Sequence, residues 1–579
     1  MNRKGLAIGV LLVVIGTSVI PTTAQNNEKT SQPIQSTRLH WSETAKLLAS
    51  DGETNDWFGI SVAIDGNYSV VGARDDDGER GSAYVFHCEG NQWVQDQKLL
   101  AADGTAGDWF GISVAIQDDF IFIGADADDN ENGINAGSVY VFRCIDSSWI
   151  YQDTVAASDG TANDYFGRYI SLDGDSALIG AYYDNNITGS AYVFQRTGDD
   201  WIEEEKLIAS DGEPGDYFGV STSMSGDYAL IGAYRDDNIN GIDAGSAYLF
   251  KRTSNGWIEE GRILASDGAS YDRFGISTSV DGDSMIIGAY YDDAYTGSSY
   301  IFKNTGTGWV EETKLLASNG KPNDFFGRSV SLDDEYAIVG AWGDNGSSGS
   351  VYIFKHTDTI WVEEGKIYAS DGAPNDRFGY QVSLNGRTAI IGANLDDNTN
   401  GIDAGSAYVF FRNQQPNTPD PPYWPSTGFL NRNYTFSLNG TDPDGDNLYY
   451  LWDWGDGNTT DWIGPFSSGE TVHASHVWSQ KGAYEIRVKL NDGYGQESDW
   501  SDPHGFNVYE LKKTFLAGFI TDLNDSGEDI ISFKARAVWY ARFNPFIFGR
   551  VIPDEELFVS DYQGYLGSRC VFGMFDVVE

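Results

Sequence analysis

Apolar and polar residues alternate with a period of two along most of this chain, in short runs bounded by glycine and aspartate. Phe58–Asp65, FGISVAID, and Tyr68–Ala73, YSVVGA, are one such pair. Alternation of this kind predicts half-buried β-strands, and the two-residue turn Asp65-Gly66 predicts that they form a hairpin. A third strand follows in GSAYVF, rich in β-branched and aromatic residues. A fourth is of the type WVEETKLLAS, seen at Trp309–Ser318.

The group of four recurs. Phe-Gly pairs stand at Phe58, Phe110, Phe166, Phe218, Phe274, Phe326 and Phe378, spaced by 52 or 56 residues. Four antiparallel strands at such a period predict one propeller blade per repeat and seven blades in all. After the seventh GSAYVF, at Gly405–Phe410, no fourth strand follows. The chain instead opens with the missing piece, WSETAKLLAS at Trp41–Ser50. The N-terminal strand is therefore expected to complete the last blade and close the ring, leaving no open edge.

The Phe-Gly, Val/Ile-Gly-Ala and Gly-Ser-x-Tyr-Val-Phe motifs resemble the FG-GAP repeat, as in the seven-bladed propeller of integrin α subunits. The resemblance covers about residues 41–412. It implies a secreted or cell-surface propeller used for adhesion or interaction. The cation loops of integrins lie between the first and second strands of a blade. Here that place holds only tight turns (Asp65-Gly66, Asp173-Gly174, Asp281-Gly282, Asn385-Gly386), so integrin-type calcium sites are not expected.

The long, Asp-rich connections between strands 2 and 3 and between strands 4 and 1 share one face, where binding is expected. Three of the 2–3 loops are four residues longer and contain Asp-x-Asn-x-Asn-Gly. Their oxygen-bearing residues are Asp128, Asn130 and Asn132 in the first, Asp236, Asn238 and Asn240 in the second, and Asp396, Asn398 and Asn400 in the third. Oxygen ligands on alternate residues before a glycine suit Ca²⁺, although the later bidentate Glu of an EF-hand loop is missing. The competing reading is that these residues only make turns. An Asp two residues before each Phe (Asp56, Asp108, Asp164, Asp216, Asp272, Asp324, Asp376) is expected to cap loop amides, because a device present in every blade points to architecture.

Positions that break the symmetry are better candidates for binding. The residue after each Gly-Ala includes Tyr182, Tyr234, Tyr290 and Trp342 in four consecutive blades. The residue before each Phe-Gly includes Trp57, Trp109, Tyr165 and Tyr217. Large aromatics beside carboxylates suit a protein or glycan recognition surface; the alternative is packing between blades. No G-x-S-x-G, H-E-x-x-H or P-loop is present. His473 and His476, three apart on a strand, point to opposite faces and are not expected to share a metal.

Beyond the ring, residues 414–425 form a proline-rich linker, expected to be an extended spacer. WDWGDG at Trp452–Gly457, with SHVWSQKGAYEIRVKLND, resembles a PKD domain, an Ig-like β-sandwich of extracellular proteins; it is placed at 426–509. The remaining 510–579 reads as a small β domain of unassigned type. The fold class is thus all-β.

Composition narrows the partners. The formal charge of −49 excludes nucleic acid, whose phosphates require Lys and Arg, and disfavours anionic lipid. Arg3 and Lys4, an apolar run to Ile20 and small residues near Ala24 read as a secretory signal over residues 1–24, followed by a leader over 25–39. No membrane insertion is expected once that signal is removed. Cys88, Cys144 and Cys570 give no disulfide framework. Sequons at Asn67, Asn186, Asn345, Asn433, Asn439 and Asn458 permit N-glycosylation. The sequence therefore predicts a secreted or surface protein, not itself a catalyst, that binds an extracellular protein or carbohydrate. The alternatives are a polysaccharide-active enzyme or its glycan-targeting module, and a purely structural envelope component.

Overall fold

Each repeat folds as its alternation dictates. The computed structural model describes residues 41–89, 92–357, 359–423, 425–519 and 570–578; the predicted signal and leader and much of the C-terminal segment lie outside the described residues. Seven four-stranded antiparallel sheets are formed. The first comprises Phe58–Asp65, Tyr68–Ala73, Ser82–Glu89 and Gln92–Leu99. The seventh comprises Gln381–Asn385, Thr388–Ala393 and Ser406–Arg412, and its fourth strand is Trp41–Leu47, in register from Trp41 opposite Arg412 to Leu47 opposite Ala407. The ring closes as expected.

The hydrophobic core lies between blades. Ile121, Ile123 and Tyr140 of blade 2, for instance, pack with Val70 and Val85 of blade 1. Close approach of the innermost strands explains the invariant glycines of the repeat. A Cβ on Gly72 would stand 1.9 Å from the carbonyl oxygen of Gly111 in the next blade, and one on Gly392 would stand 2.0 Å from that of Gly59 across the closure. No side chain fits there.

Polar straps repeat the closure. Ser158, Ser210, Ser266 and Ser318 each donate backbone N–H and hydroxyl to a glutamate of the following blade, and Ser370 does the same to Glu43 of the N-terminal strand at 2.8 Å. On the face opposite the long loops, the last residue of each inner strand accepts a turn N–H from the next blade. This chain runs through Asp65, Gln117, Asp173, Ser225, Asp281 and Asp333 to Asn385, which accepts from Gly66. It is a closed circle of seven bonds. The tight turns are therefore structural couplings.

The second unit packs a five-stranded sheet against the pair Asn433–Asn439 and Thr471–Val477, around buried Trp452, Trp454, Trp478, Phe436 and Phe506. The proline-rich linker differs from a free spacer: Asn413 donates to Asp492 at 2.8 Å, the Asn417 N–H to the Thr441 carbonyl at 3.0 Å, and Tyr423 pairs with Ser437. Side chains and backbone groups that a spacer would leave to water are satisfied against the second unit. Finally, Leu511–Phe519 pairs antiparallel with Cys570–Val578, which accords with β structure there, while the residues between lie outside the described residues.

Candidate functional site

The loop face is built in three layers, two repeated and one not. In the first layer, the Asp two residues before each Phe accepts a backbone N–H three residues upstream: Asp56 from Glu53, Asp164 from Thr161, Asp324 from Lys321 and likewise in the other blades. The expected capping role is what the geometry shows. Burial is the main cause that raises Asp56, Asp216, Asp272 and Asp376 to about 6.

In the second layer, a buried Asp at the start of the 2–3 loop meets a hydroxyl and a cation. Asp184 accepts from Ser190 at 2.5 Å and pairs with Lys206 at 2.7 Å, and Lys206 also holds Asp159, which accepts from Tyr192. Asp236 and Asp396 occupy this place in blades 4 and 7, paired with Arg262 and Lys46. Asp128 occupies it in blade 2, where it accepts from Ser138 but the basic residue is replaced by Thr154.

The three long loops use their asparagines internally. Asn130 donates to the Gly137 carbonyl at 2.7 Å, its own oxygen accepts from the Asn132 N–H at 2.8 Å, and Asn132 reaches the Ala157 carbonyl at 2.8 Å. In blade 4, Asn238 donates to the Gly245 carbonyl at 2.8 Å and accepts from the Asn240 N–H at 2.8 Å. The amide of Asn240 in turn reaches the Ala265 carbonyl at 2.9 Å. In blade 7, Asn398 bonds the Gly405 carbonyl and the Asn400 N–H, and Asn400 reaches the Ala49 carbonyl across the ring closure.

The loops therefore have an internal use for the residues that the sequence offers as cation ligands. Asn130, Asn238 and Asn398 each spend their side-chain oxygen on a backbone N–H of their own loop. Asn132, Asn240 and Asn400 each turn their amide to a carbonyl at the start of the next 4–1 loop. Asp128, Asp236 and Asp396 accept from Ser138, Ser246 and Ser406. These bonds account for the Asp-x-Asn-x-Asn-Gly spacing as an Asx turn tied to the neighbouring blade.

The third layer is the collar of side chains around the axis. In five blades the residue after Gly-Ala (Arg74, Tyr182, Tyr234, Tyr290, Trp342) wedges between the residues before Phe-Gly of its own and the next blade; blades 2 and 7 place Asp126 and Asn394 there. Tyr182 lies 6.1 Å from both Tyr165 and Tyr217; Tyr217 lies 5.3 Å from Tyr234; Phe325 stacks on Trp342 at 4.6 Å. Guanidiniums fill the gaps. Arg74 sits over Trp57 and Trp109, Arg273 over Tyr234 and Tyr291, and Arg377 over Trp342 at 4.8 Å. Tyr182, Tyr234, Tyr290, Trp342, Trp57, Trp109, Tyr165 and Tyr217 are all half-buried, so the structure brings the eight predicted aromatics onto one rim, leaning on one another. The backbone before each Phe-Gly is left-handed in all seven blades, with φ from +55° at Tyr165 to +61° at Trp109 and Arg377. Bulky residues rarely hold that conformation.

Seven matches to the FG-GAP repeat model, at residues 41–86, 93–142, 149–194, 201–250, 257–302, 309–354 and 361–410, each span the fourth strand of one blade and the first three of the next. The chain belongs to the FG-GAP repeat family. The PKD domain model matches 422–502, so the second unit is a PKD domain that begins within the proline-rich segment. Among solved structures, the PKD domain of an M14-like peptidase from Thermoplasmatales archaeon SCGC AB-540-F20 is 41% identical over 17% of this chain and 97% of that one, with a TM-score of 0.16. The extracellular domain of a protein assigned as a hybrid two-component system of B. thetaiotaomicron is 13% identical, with 81% of this chain and 56% of that one covered and a TM-score of 0.36.

Within this FG-GAP propeller, sequence reasoning missed the arginines as members of the collar and missed Tyr183 and Tyr291, which touch Tyr217 and Phe325. Arg273 and Arg377 occupy an aligned position otherwise filled by aromatics, and Arg74 one where aromatics predominate; that substitution was the available signal. Among the described residues no helix is long and apolar enough to cross a membrane. His476 pairs with Asp456 at 2.9 Å and stacks on Trp454 inside the PKD domain, a packing role separate from His473.

Proposed function

We propose that this protein is an extracellular recognition protein that binds a carbohydrate or protein partner through the collar of its propeller, with the PKD domain as a docked support and without catalysis of its own. FG-GAP and PKD modules are typical of extracellular, non-catalytic interaction proteins. The observation that carries the reading is the concentration of half-exposed aromatic and guanidinium groups on one rim of an otherwise acidic molecule. Rings and planar cations stack on sugar faces and anchor protein interfaces.

One observation favours the structural alternative: the collar groups stack on each other, so their contacts alone would wedge the blades. The two readings differ in what a collar variant does. A glycan array probed with the intact protein and with Tyr234→Ala/Trp342→Ala is expected to show saccharide binding that the variant loses at unchanged fold. Binding equal in both would sink the collar as the site, and a variant that unfolds would assign the collar to architecture.

A further inference from the structure

The ring axis is lined at one aligned position, the residue after each Phe-Gly. Four blades place Ile60, Ile112, Val220 and Ile276 there, all about 5–6% exposed. The other three place Arg168, Arg328 and Tyr380. These three break both the sevenfold pattern and its apolar character, and they meet. Arg168, Arg328 and Tyr380 line a single cavity of about 70 Å³ at the loop-face end of the inner strands, together with Tyr169 and Gln381. The Arg328 guanidinium reaches the Tyr380 hydroxyl at 3.5 Å.

Charge does not balance there. Among the described residues Arg168 pairs with one carboxylate, Asp126, at 3.6 Å. Asp126 is fully buried, and neither of its oxygens accepts a hydrogen bond. The groups acting on Arg328, after burial itself, are the phenols of Tyr380, Tyr169 and Tyr290 and the like-charged Arg168. Of these two guanidiniums, Arg168 has a carboxylate partner and, among the described residues, Arg328 has no ion pair. Burial would raise the Tyr380 phenol, yet Arg328, Arg168 and Arg377 bring it below its ordinary value, a sign of the same positive field. Both guanidiniums are half-buried, and a guanidinium fork with no counter-charge beside it matches a planar oxyanion. The space admits a few waters, enough for one oxyanion group.

We propose that this axial cavity is an oxyanion site, which takes one carboxylate, sulfate or phosphate group between Arg168 and Arg328 with the Tyr380 hydroxyl beside it. The group is either a free small ion or the acidic substituent of a ligand seated on the collar above. The second source rests on the recognition reading; the site itself does not.

The test is thermal unfolding of the intact protein in chloride buffer with acetate, sulfate, inorganic phosphate, a glucuronate oligosaccharide and its neutral glucose counterpart. A ligand of the folded state raises the midpoint by mass action. A saturable rise with the anions, absent with the neutral sugar and lost in Arg328→Gln, supports the site. Tyr380→Phe and Arg168→Lys, which keep bulk and charge respectively, should weaken the response without abolishing folding, and they carry the test if Arg328→Gln is unstable. Half-saturation about tenfold lower for the glucuronate oligosaccharide than for acetate assigns the anion to a collar ligand; equal values assign it to solution. Tyr234→Ala/Trp342→Ala should keep the acetate response even where it loses glycan binding, which separates the two proposals. No saturable effect, or one that Arg328→Gln retains, overturns the site.

Discussion

Asp216 shows how one repeated residue sets the acid response of the whole ring. Its carboxylate caps the Glu213 N–H at 2.6 Å, and burial, helped by nearby Asp236, lifts it to about 6. Asp56, Asp272 and Asp376 behave alike. Unfolded, each would titrate near 4. Between those values the folded state binds more protons, so their contribution to stability is present at pH 4 and lost as pH rises through 6. Asp51, Asp159, Asp267 and Asp371 act oppositely: burial would raise them, but Lys98, Lys206, Lys314 and Lys46 hold them down, and their contribution is lost only below about 4. The unfolding midpoint is therefore expected to be higher at pH 5 than at pH 7.5. Asp216→Asn keeps an acceptor for the cap and should raise the pH 7.5 midpoint more than the pH 5 midpoint, because at pH 5 only part of the charge penalty has developed; a midpoint that climbs with pH would refute this account. Blade 2 offers a second test. Six blades place Lys or Arg against the buried Asp of the 2–3 loop, and blade 2 places Thr154 near Asp128 and Asp103. Thr154→Lys should stabilise by about 1 kcal/mol, since a half-buried pair gains more than a surface one. Thr154→Met, of similar length without charge, should not, and equal effects of the two in urea titrations would show that packing rather than charge is responsible.

At the scale of elements, the strand Trp41–Leu47 does what its sequence promised because two kinds of information agree. Its alternation fits the vacant edge beside Ser406–Arg412, and Glu43 and Lys46 supply the same bonds to Ser370, Asp371 and Asp396 that other fourth strands supply. Removal of residues 1–50 would expose the edge of Ser406–Arg412 and unpair Ser370. Such a protein is expected to lose cooperative unfolding of the ring and to associate through the open edge. A sharp transition and a monomeric elution volume on size exclusion would show that six complete blades suffice. Strands, blade number and closure were legible because repetition multiplies a weak local signal sevenfold. The collar was legible only in part. Alignment exposed Tyr182, Tyr234, Tyr290 and Trp342, but which side chain wedges against which depends on left-handed backbone at Trp57 and its equivalents, and period-two alternation carries no record of that. The Asp-x-Asn-x-Asn-Gly loops show the converse: one spacing serves an ion or an Asx turn equally, and the ties from Asn132 and Asn240 to the next blade are not written in it.

For the molecule as a whole, the proline-rich stretch suggested a ring and a sandwich held apart, and the contacts between them argue for a fixed relation instead. Arg387, in the last inner turn of the propeller, grips Asp446 of the PKD domain with two hydrogen bonds of 3.0 and 3.1 Å and stands 3.5 Å from Asp444. Gln414 bonds Asp444 from the linker, Asn413 bonds Asp492, and Phe411 stacks near Tyr494 at 5.4 Å. A bidentate pair of this kind carries direction as well as energy. Two of the three clustered carboxylates Asp442, Asp444 and Asp446 thus receive their counter-charge from the other domain. If this contact holds the domains, Arg387→Ala should free them without unfolding either. The radius of gyration by small-angle scattering is expected to rise, and the midpoints of the two domains should separate in calorimetry where the intact protein shows them coupled. High salt should reproduce part of the effect, because the half-exposed guanidinium is open to screening. An unchanged scattering profile for Arg387→Ala would mean that the docked linker, through Asn413 and Asn417, fixes the orientation alone.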